Sequence, residues 1–280
     1  MADGTPAPPP APLPVWQAVV LGYTHIGRHF AVFLTMAALW SFVVMGGLDQ
    51  LIVAGFGNAP AGNEVTVLTY DLAVAVAWLV GQVGGVIVAI AGYRAVLLGE
   101  APSLHALASF GRRELRYLGV DLVYFALNYM VFLTVYLVLV AAAGAGAAER
   151  IDGGVANSLP FDLAVGLLSD LVIAPFLILA LPLAALDARH SLFLGAWQLG
   201  RGHRLRLCAV SYIAGLPFML LSYLPRQMAD PDAGWLDAYL WTSVAGCLGL
   251  LWVAFYSGCI ALAFDWIMQR QRDRSLAVFD

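Results

Sequence analysis

The chain has no lysine, only three cysteines, and 11% charged residues across 280 positions, where a soluble globular domain carries roughly 25%. So little charge excludes an ordinary soluble enzyme. The net charge of −4 says little, since the charges are few and lie mostly at segment ends, and nucleic acid is not an expected partner. Cys208, Cys247 and Cys259 lie in apolar runs without a C-x-x-C spacing, so they read as small buried apolar residues and imply neither a disulfide framework nor a metal set. There is no G-x-S-x-G elbow, no Walker loop and no phosphate-binding Gly-x-Gly fingerprint. On these absences the chain is not expected to be an enzyme, and no cofactor or metal is expected.

Apolar residues make up 61% of the chain and the mean hydropathy is +0.83, so hydrocarbon is the expected solvent for most of it. Residues 1–14 hold six of the 14 prolines and no basic residue. They read as a disordered Pro/Ala tail, not a secretory leader, which would open on a positive patch followed by an apolar stretch. Six apolar stretches follow, at about 30–53, 69–93, 117–146, 161–186, 205–225 and 236–266. Each is long enough to cross a hydrocarbon core as a helix, the form in which backbone amides are satisfied without water.

The few charges orient these spans. Arg28, Arg94, Arg112, Arg113, Arg116, Arg189, Arg201, Arg204, Arg206, Arg270, Arg272 and Arg274 fall on one side, and only Arg150 and Arg226 on the other. A bias of 12 to 2 predicts cytoplasmic N and C termini in a bacterial inner membrane. The outer connections carry Glu64, Glu149, Asp152, Asp230 and Asp232 instead. Trp16, Trp197, Trp235 and Trp266 lie near the borders, as interfacial anchors do, while Trp40, Trp78 and Trp252 are mid-span and read as packing residues.

The odd-numbered spans share an entry pattern of glycine, basic residues, then membrane: Gly27-Arg28-His29-Phe30, Gly111-Arg112-Arg113-Glu114-Leu115 and Gly202-His203-Arg204-Leu205. A short segment before each glycine can be drawn as an interfacial helix. In the first, Trp16, Val19, Val20, Tyr23 and Ile26 share one face, with Gln17, Thr24 and Arg28 opposite. Ser-Leu pairs open the later copies at Ser103-Leu104 and Ser191-Leu192, and Ser275-Leu276 begins an unfinished fourth. The expected fold is therefore all-α and polytopic: six transmembrane helices in three repeats of interfacial helix plus hairpin, at about 15–98, 103–186 and 191–270. These repeats form one domain over 15–270, followed by a cytoplasmic tail at 271–280. Each glycine is expected to break the interfacial helix and turn the chain into the bilayer.

The stretch from Leu179 through Leu181-Pro182-Leu183 to Asp187, then Ser191-Leu192, Ala196-Trp197-Gln198-Leu199-Gly200-Arg201-Gly202 and on to Leu207, resembles the membrane domain attached to some bacterial glycerophosphoryl diester phosphodiesterases and related six-span bacterial membrane proteins. In those proteins a span ending in an Ala-Leu-Pro pattern is followed by a Ser-Leu, Ala-Trp, Leu-x-Arg-Gly helix and another span. The close match covers 179–207, with compatible hydropathy over most of the chain. The resemblance implies a six-span membrane domain. The phosphodiesterase's catalytic barrel, with its metal-binding carboxylates and histidines, has no counterpart here, so its activity does not carry over.

Asp170 stands out. It lies about nine residues into the fourth span among Leu167, Leu168, Leu171 and Val172, and a charge at mid-helix costs about 2.5–3.5 kcal/mol on insertion. Either it faces a cavity as a proton- or cation-responsive group near Pro175, or it is a hydrogen-bonded packing residue meeting Asn128 or Tyr129. Asp170 and Asn128 are accordingly the candidate ligand or ion site. Asp121 is expected to pair with Arg94 or Arg116, Gln82 and Asn128 to serve as interhelical hydrogen-bond partners, and Asp49 and Asp71 to sit near outer water. His25 and His29 stand four apart but lack a third ligand, so interfacial solvation is expected rather than metal binding.

Gly81, Gly85 and Ala89 form a small-residue stripe for close helix packing, within the bundle or between two copies of the chain. Arg112, Arg113, Arg116, Arg201, Arg204 and Arg206 are candidate contacts for anionic headgroups as well as topology determinants. Two functional expectations result. The first is a non-catalytic module binding membrane lipid, a partner protein or a second copy. The second is a small-solute or lipid transporter with a mid-membrane site near Asp170. An enzyme would need a further polar group converging on Asp170. A solid apolar core favours the module, and a polar cavity faced by Asp170 favours transport.

Overall fold

Proline and glycine set many of the helix boundaries. The computed structural model describes residues 13–56, 64–143, 159–187, 192–228 and 235–276, and these form helices and connecting turns with no strand. The sequence features at residues 1–12, Glu149, Arg150, Asp152, Arg189, Ser191, Asp230 and Asp232 lie outside the described residues, as do the side chains of Asp49, Glu64, Asp71, Pro175, Arg226, Trp235, Arg274, Ser275 and Leu276.

Helix α1 (Val15–Gly27) starts directly after Pro14, a place where a missing N–H has little cost. The chain turns through Arg28 and His29 into α2 (Phe30–Ala38), which runs on through a π-helical stretch, Leu39–Met45, into α3 (Gly46–Phe56). Helix α4 (Glu64–Leu97) is followed by a single 3-10 turn, Leu104–Ala108, and then α5 (Arg112–Ala143). Three short helices come next, α6 (Leu159–Val172), α7 (Ala174–Leu177) and α8 (Ala180–Ala185), and the chain closes with α9 (Leu192–Gly200), α10 (Arg204–Met228) and α11 (Trp235–Leu276).

Among the described residues, four segments are long and apolar enough to cross a membrane: Phe30–Ile52, Leu72–Leu97, Arg112–Val138 and Tyr239–Arg272. Their outward faces carry Leu51, Leu72, Val138 and Leu240, all exposed, an apolar surface suited to lipid. The stretch expected as one fourth span, 161–186, is instead three helices. Proline explains both breaks: Pro175 falls in the first turn of α7, Pro182 lies within α8, and neither can donate the backbone bond that would continue the preceding helix. The fifth stretch forms a single helix, α10, despite Pro217 and Pro225 within it.

Helix α11 is the hub. It packs on α1, α2, α4 and α10, and Ala254, Cys259, Ile260, Ala261 and Ala263 on it are fully buried. Helix α5 is peripheral and packs on α4, α6 and α8. Among its described side chains the buried ones, Glu114, Tyr117, Leu118 and Val120, lie in its first third, so its later turns stand away from the hub.

The single apolar face drawn for the first segment is divided in the structure. Helix α1 docks into the bundle through Ala18, Val19, Gly22 and Ile26, while Trp16, Val20 and Leu21 point outward. Both faces are apolar, and the one that packs is the one carrying small residues, because only there can the α11 backbone approach. The pre-glycine segments also differ in form: a 13-residue helix, a five-residue 3-10 turn and a nine-residue helix. Of the three border glycines only Gly202 adopts a left-handed backbone, with φ +89°, whereas Gly27 ends α1 in the helix itself. Alanine at 202 is therefore expected to cost about 1–2 kcal/mol, read as a lowered thermal midpoint in detergent, while alanine at 27, where an added Cβ meets nothing within 4 Å, leaves the midpoint unchanged.

Candidate functional site

A carboxylate placed among leucines needs partners, and Asp170 finds them on two other helices. The Ser211 hydroxyl of α10 donates to Asp170 Oδ1 at 2.7 Å. Its one proton thus used, Ser211 accepts from the Tyr256 hydroxyl of α11, 2.9 Å away. The Tyr124 hydroxyl of α5 reaches the same Asp170 oxygen at 3.5 Å, and the Cys208 thiol donates to the Asp170 carbonyl at 3.0 Å. Three hydroxyls and one carboxylate from four helices thus form one hydrogen-bonded set.

This set borders a cavity of about 600 Å³. Each long helix supplies part of its wall: Ser41 from the π-helical stretch, Gly85 from α4, Asp121 from α5, Asp170 from α6, Ser211 from α10 and Tyr256 from α11. The volume exists because the wall is rich in glycine. Gly81, Gly85, Gly166, Gly215, Gly246 and Gly249 all line it, and an added Cβ at Gly85 or Gly249 would meet nothing within 4 Å. Across the cavity wall, Trp40 and Ser41 contribute an indole Nε1 and a hydroxyl that are buried without a hydrogen-bond partner. Seven consecutive residues of π-helix are rare and recur at functional sites. Here the stretch carries Trp40, Ser41 and Met45 into the wall.

The structure relocates several residues singled out in the sequence. Asn128 lines the cavity, but its Nδ2 donates to the Tyr124 carbonyl of its own helix at 2.8 Å, so it is not the partner that holds Asp170. Tyr129 points outward. Asp121 lines the cavity, while Arg94 pairs with Glu100 and Arg116 with Asp187. The expected pairing of Asp121 gives way because the acids after α4 and α8 lie closer to those arginines. Gln82 is also a cavity residue.

The small-residue stripe borders the cavity. An added Cβ at Gly81 would meet only the end of the Met45 side chain and one at Gly85 nothing within 4 Å, and with Ala89 they line the void. Close packing uses the neighbouring face, where Gly84 lies against the Trp40 indole and Gly92 against Ser257.

Among the arginines, Arg113 pairs with Glu114, Arg204 stacks over Trp197 at 4.2 Å and Arg206 donates to the Leu13 carbonyl at 2.8 Å. Arg112 and Arg201 are exposed. His25 bonds the Ala95 carbonyl through Nε2 at 3.0 Å. Among the described residues no group of three His, Cys, Asp or Glu side chains is placed to hold a metal.

Ser211, Tyr256 and Ser41 were not selected from the sequence, and Trp40 was read there only as a packing residue. Ser211 and Ser41 carried a weak signal, as isolated hydroxyls within apolar runs, but nothing in the sequence indicated which helix faces Asp170.

Comparison of the chain with protein-family models, with curated proteins and with solved structures finds no match.

Proposed function

We propose that this chain is a multi-pass protein of a bacterial inner membrane that binds a small amphipathic molecule in the Asp170 cavity. The carrying observation is the cavity itself: about 600 Å³, walled by every long helix and bordered by a carboxylate with three hydroxyls. Such a pocket, mostly apolar with a few convergent polar groups, is the usual form of a small-molecule site. A module that only organises partners through a filled apolar core has no need of it.

Six spans with cytoplasmic termini remain the topology we favour, supported by the arginine bias of 12 to 2, with three diverged hairpin repeats as its internal symmetry. The similarity of 179–207 to the membrane domain attached to glycerophosphoryl diester phosphodiesterases supports the same topology. Membrane lipid is then the surrounding solvent, with Arg112 and Arg201 available to its headgroups. Transport is the specific form of the proposal that the broken fourth stretch favours. Discontinuous helices beside an intramembrane polar site recur where a ligand must enter and leave, and here Asp170 sits two residues before the end of α6.

Native mass spectrometry of protein extracted in mild detergent tests the binding reading. The expected spectrum contains a small molecule at about one per chain, depleted several-fold in Asp170→Asn at unchanged yield. Unliganded protein, together with an unaltered Asp170→Asn variant, would contradict it.

A further inference from the structure

The chemistry of the wall restricts what the cavity holds. Its charged side chains, among the described residues, are Asp121 and Asp170, and no arginine or histidine lines it. A phosphate or carboxylate placed there would meet two acids and no cation, and that exclusion is large in a low-dielectric site. Beside neutral amides and hydroxyls such as Gln82, Asn128 and Ser257, the wall carries aromatic surface: Trp40, Tyr117, Phe125, Tyr212 and Trp252 contribute rings, to which a cation is attracted through the ring quadrupole. Independently of the acids, the Ser41 hydroxyl is fully buried, lines the cavity and has no hydrogen-bond partner. Buried polar atoms in native structures are satisfied as a rule, so this hydroxyl, which can donate or accept, and the Trp40 Nε1–H beside it are open to polar groups that the protein does not supply.

We propose that the ligand is an apolar organic cation: a hydrophobic body bearing one protonated amine or quaternary centre, with its charge at Asp170 and its body against the aromatic wall. The inference rests on the cavity being the binding site. Asp170 accepts hydrogen bonds on Oδ1 from Ser211 and Tyr124, which orients the carboxylate, and an entering cation provides the counter-charge that no side chain of the wall provides. Glycines at 81, 85, 246 and 249 leave room for a bulky body.

Two probes of the same shape and opposite charge test this, tetraphenylphosphonium and tetraphenylborate. Each is measured by equilibrium dialysis against the full chain in dodecyl maltoside micelles at pH 8, with protein-free micelles subtracted. The phosphonium is expected to bind at least tenfold more tightly than the borate. Asp170→Asn is expected to weaken the phosphonium at least tenfold while leaving the borate unchanged or tighter.

The comparison of the two probes needs no variant, so it stands even if Asp170→Asn misfolds. Equal affinity for both probes, with both lost in Gly85→Leu, would overturn the cation inference and leave the cavity as the site. If neither probe binds, or if Gly85→Leu leaves both unchanged, the cavity is not the site and the inference falls with the reading beneath it.

Discussion

Leucine at position 22 is expected to prevent folding. Gly22 sits where α1 crosses α11, and an added Cβ would lie 2.7 Å from both the Cα and the N of Cys259, a distance at which backbone atoms must move apart. On the facing helix Gly258 stands in the same relation, since a Cβ there would lie 2.5 Å from Ile26 Cγ1 and 3.2 Å from the Gly22 carbonyl. The two glycines thus define one close crossing, in which Gly22 faces backbone that cannot give way. Overpacking a well-filled core costs typically 1–3 kcal/mol, and separating two backbones in contact places Gly22→Leu at or above about 3 kcal/mol. Because α11 is the hub, the loss propagates to α2, α4 and α10. Size-exclusion chromatography after detergent extraction should show aggregate in place of a single peak. Gly27→Leu, five residues away on the same helix and facing open space, should elute as the parent does.

Leucine at position 85 is expected to do the opposite: keep the fold and remove binding. From the sequence stripe alone, Gly85→Leu is expected to lower folded yield. The geometry reverses that expectation, because the new side chain enters the void instead of a neighbouring helix. Replacing a mid-helix glycine also recovers up to about 1 kcal/mol of helix propensity, so the thermal midpoint should hold or rise. The leucine occupies space within a cavity of about 600 Å³, and a ligand that fills the site loses at least tenfold in affinity through steric exclusion. The measurement is a pair: thermal midpoint and ligand binding on one preparation. A folded variant with undiminished binding would place the ligand elsewhere.

The contrast between positions 22 and 85 shows what the sequence could and could not reveal. Both are glycines in apolar helices, and composition treats them alike. Their roles differ because one faces the α11 backbone and the other faces a void, which depends on how helices distant in sequence are arranged. The long apolar helices were legible, since their length and hydropathy are local properties. The fourth stretch reads as one span by hydropathy, although its first break has a local cause in Pro175, whose missing N–H acts on its own turn. Asp170 was legible as a residue out of place. Its partners were not, because Ser211 lies 41 positions away and Tyr256 a further 45, and no periodicity links them. That Trp40 and Ser41 face the cavity was hidden for a different reason: the π-helical stretch from Leu39 to Met45 changes the angular register that a 3.6-residue reading assumes.

The account depends on the space between α5 and α11 being occupied by something other than protein. An experimental structure of the chain in lipid nanodiscs tests this most directly. The account predicts non-protein density in the cavity, in contact with Asp170 and within hydrogen-bond reach of the Ser41 hydroxyl. A structure in which α5 closes onto α11 and Tyr124 and Phe125 fill the space would contradict it.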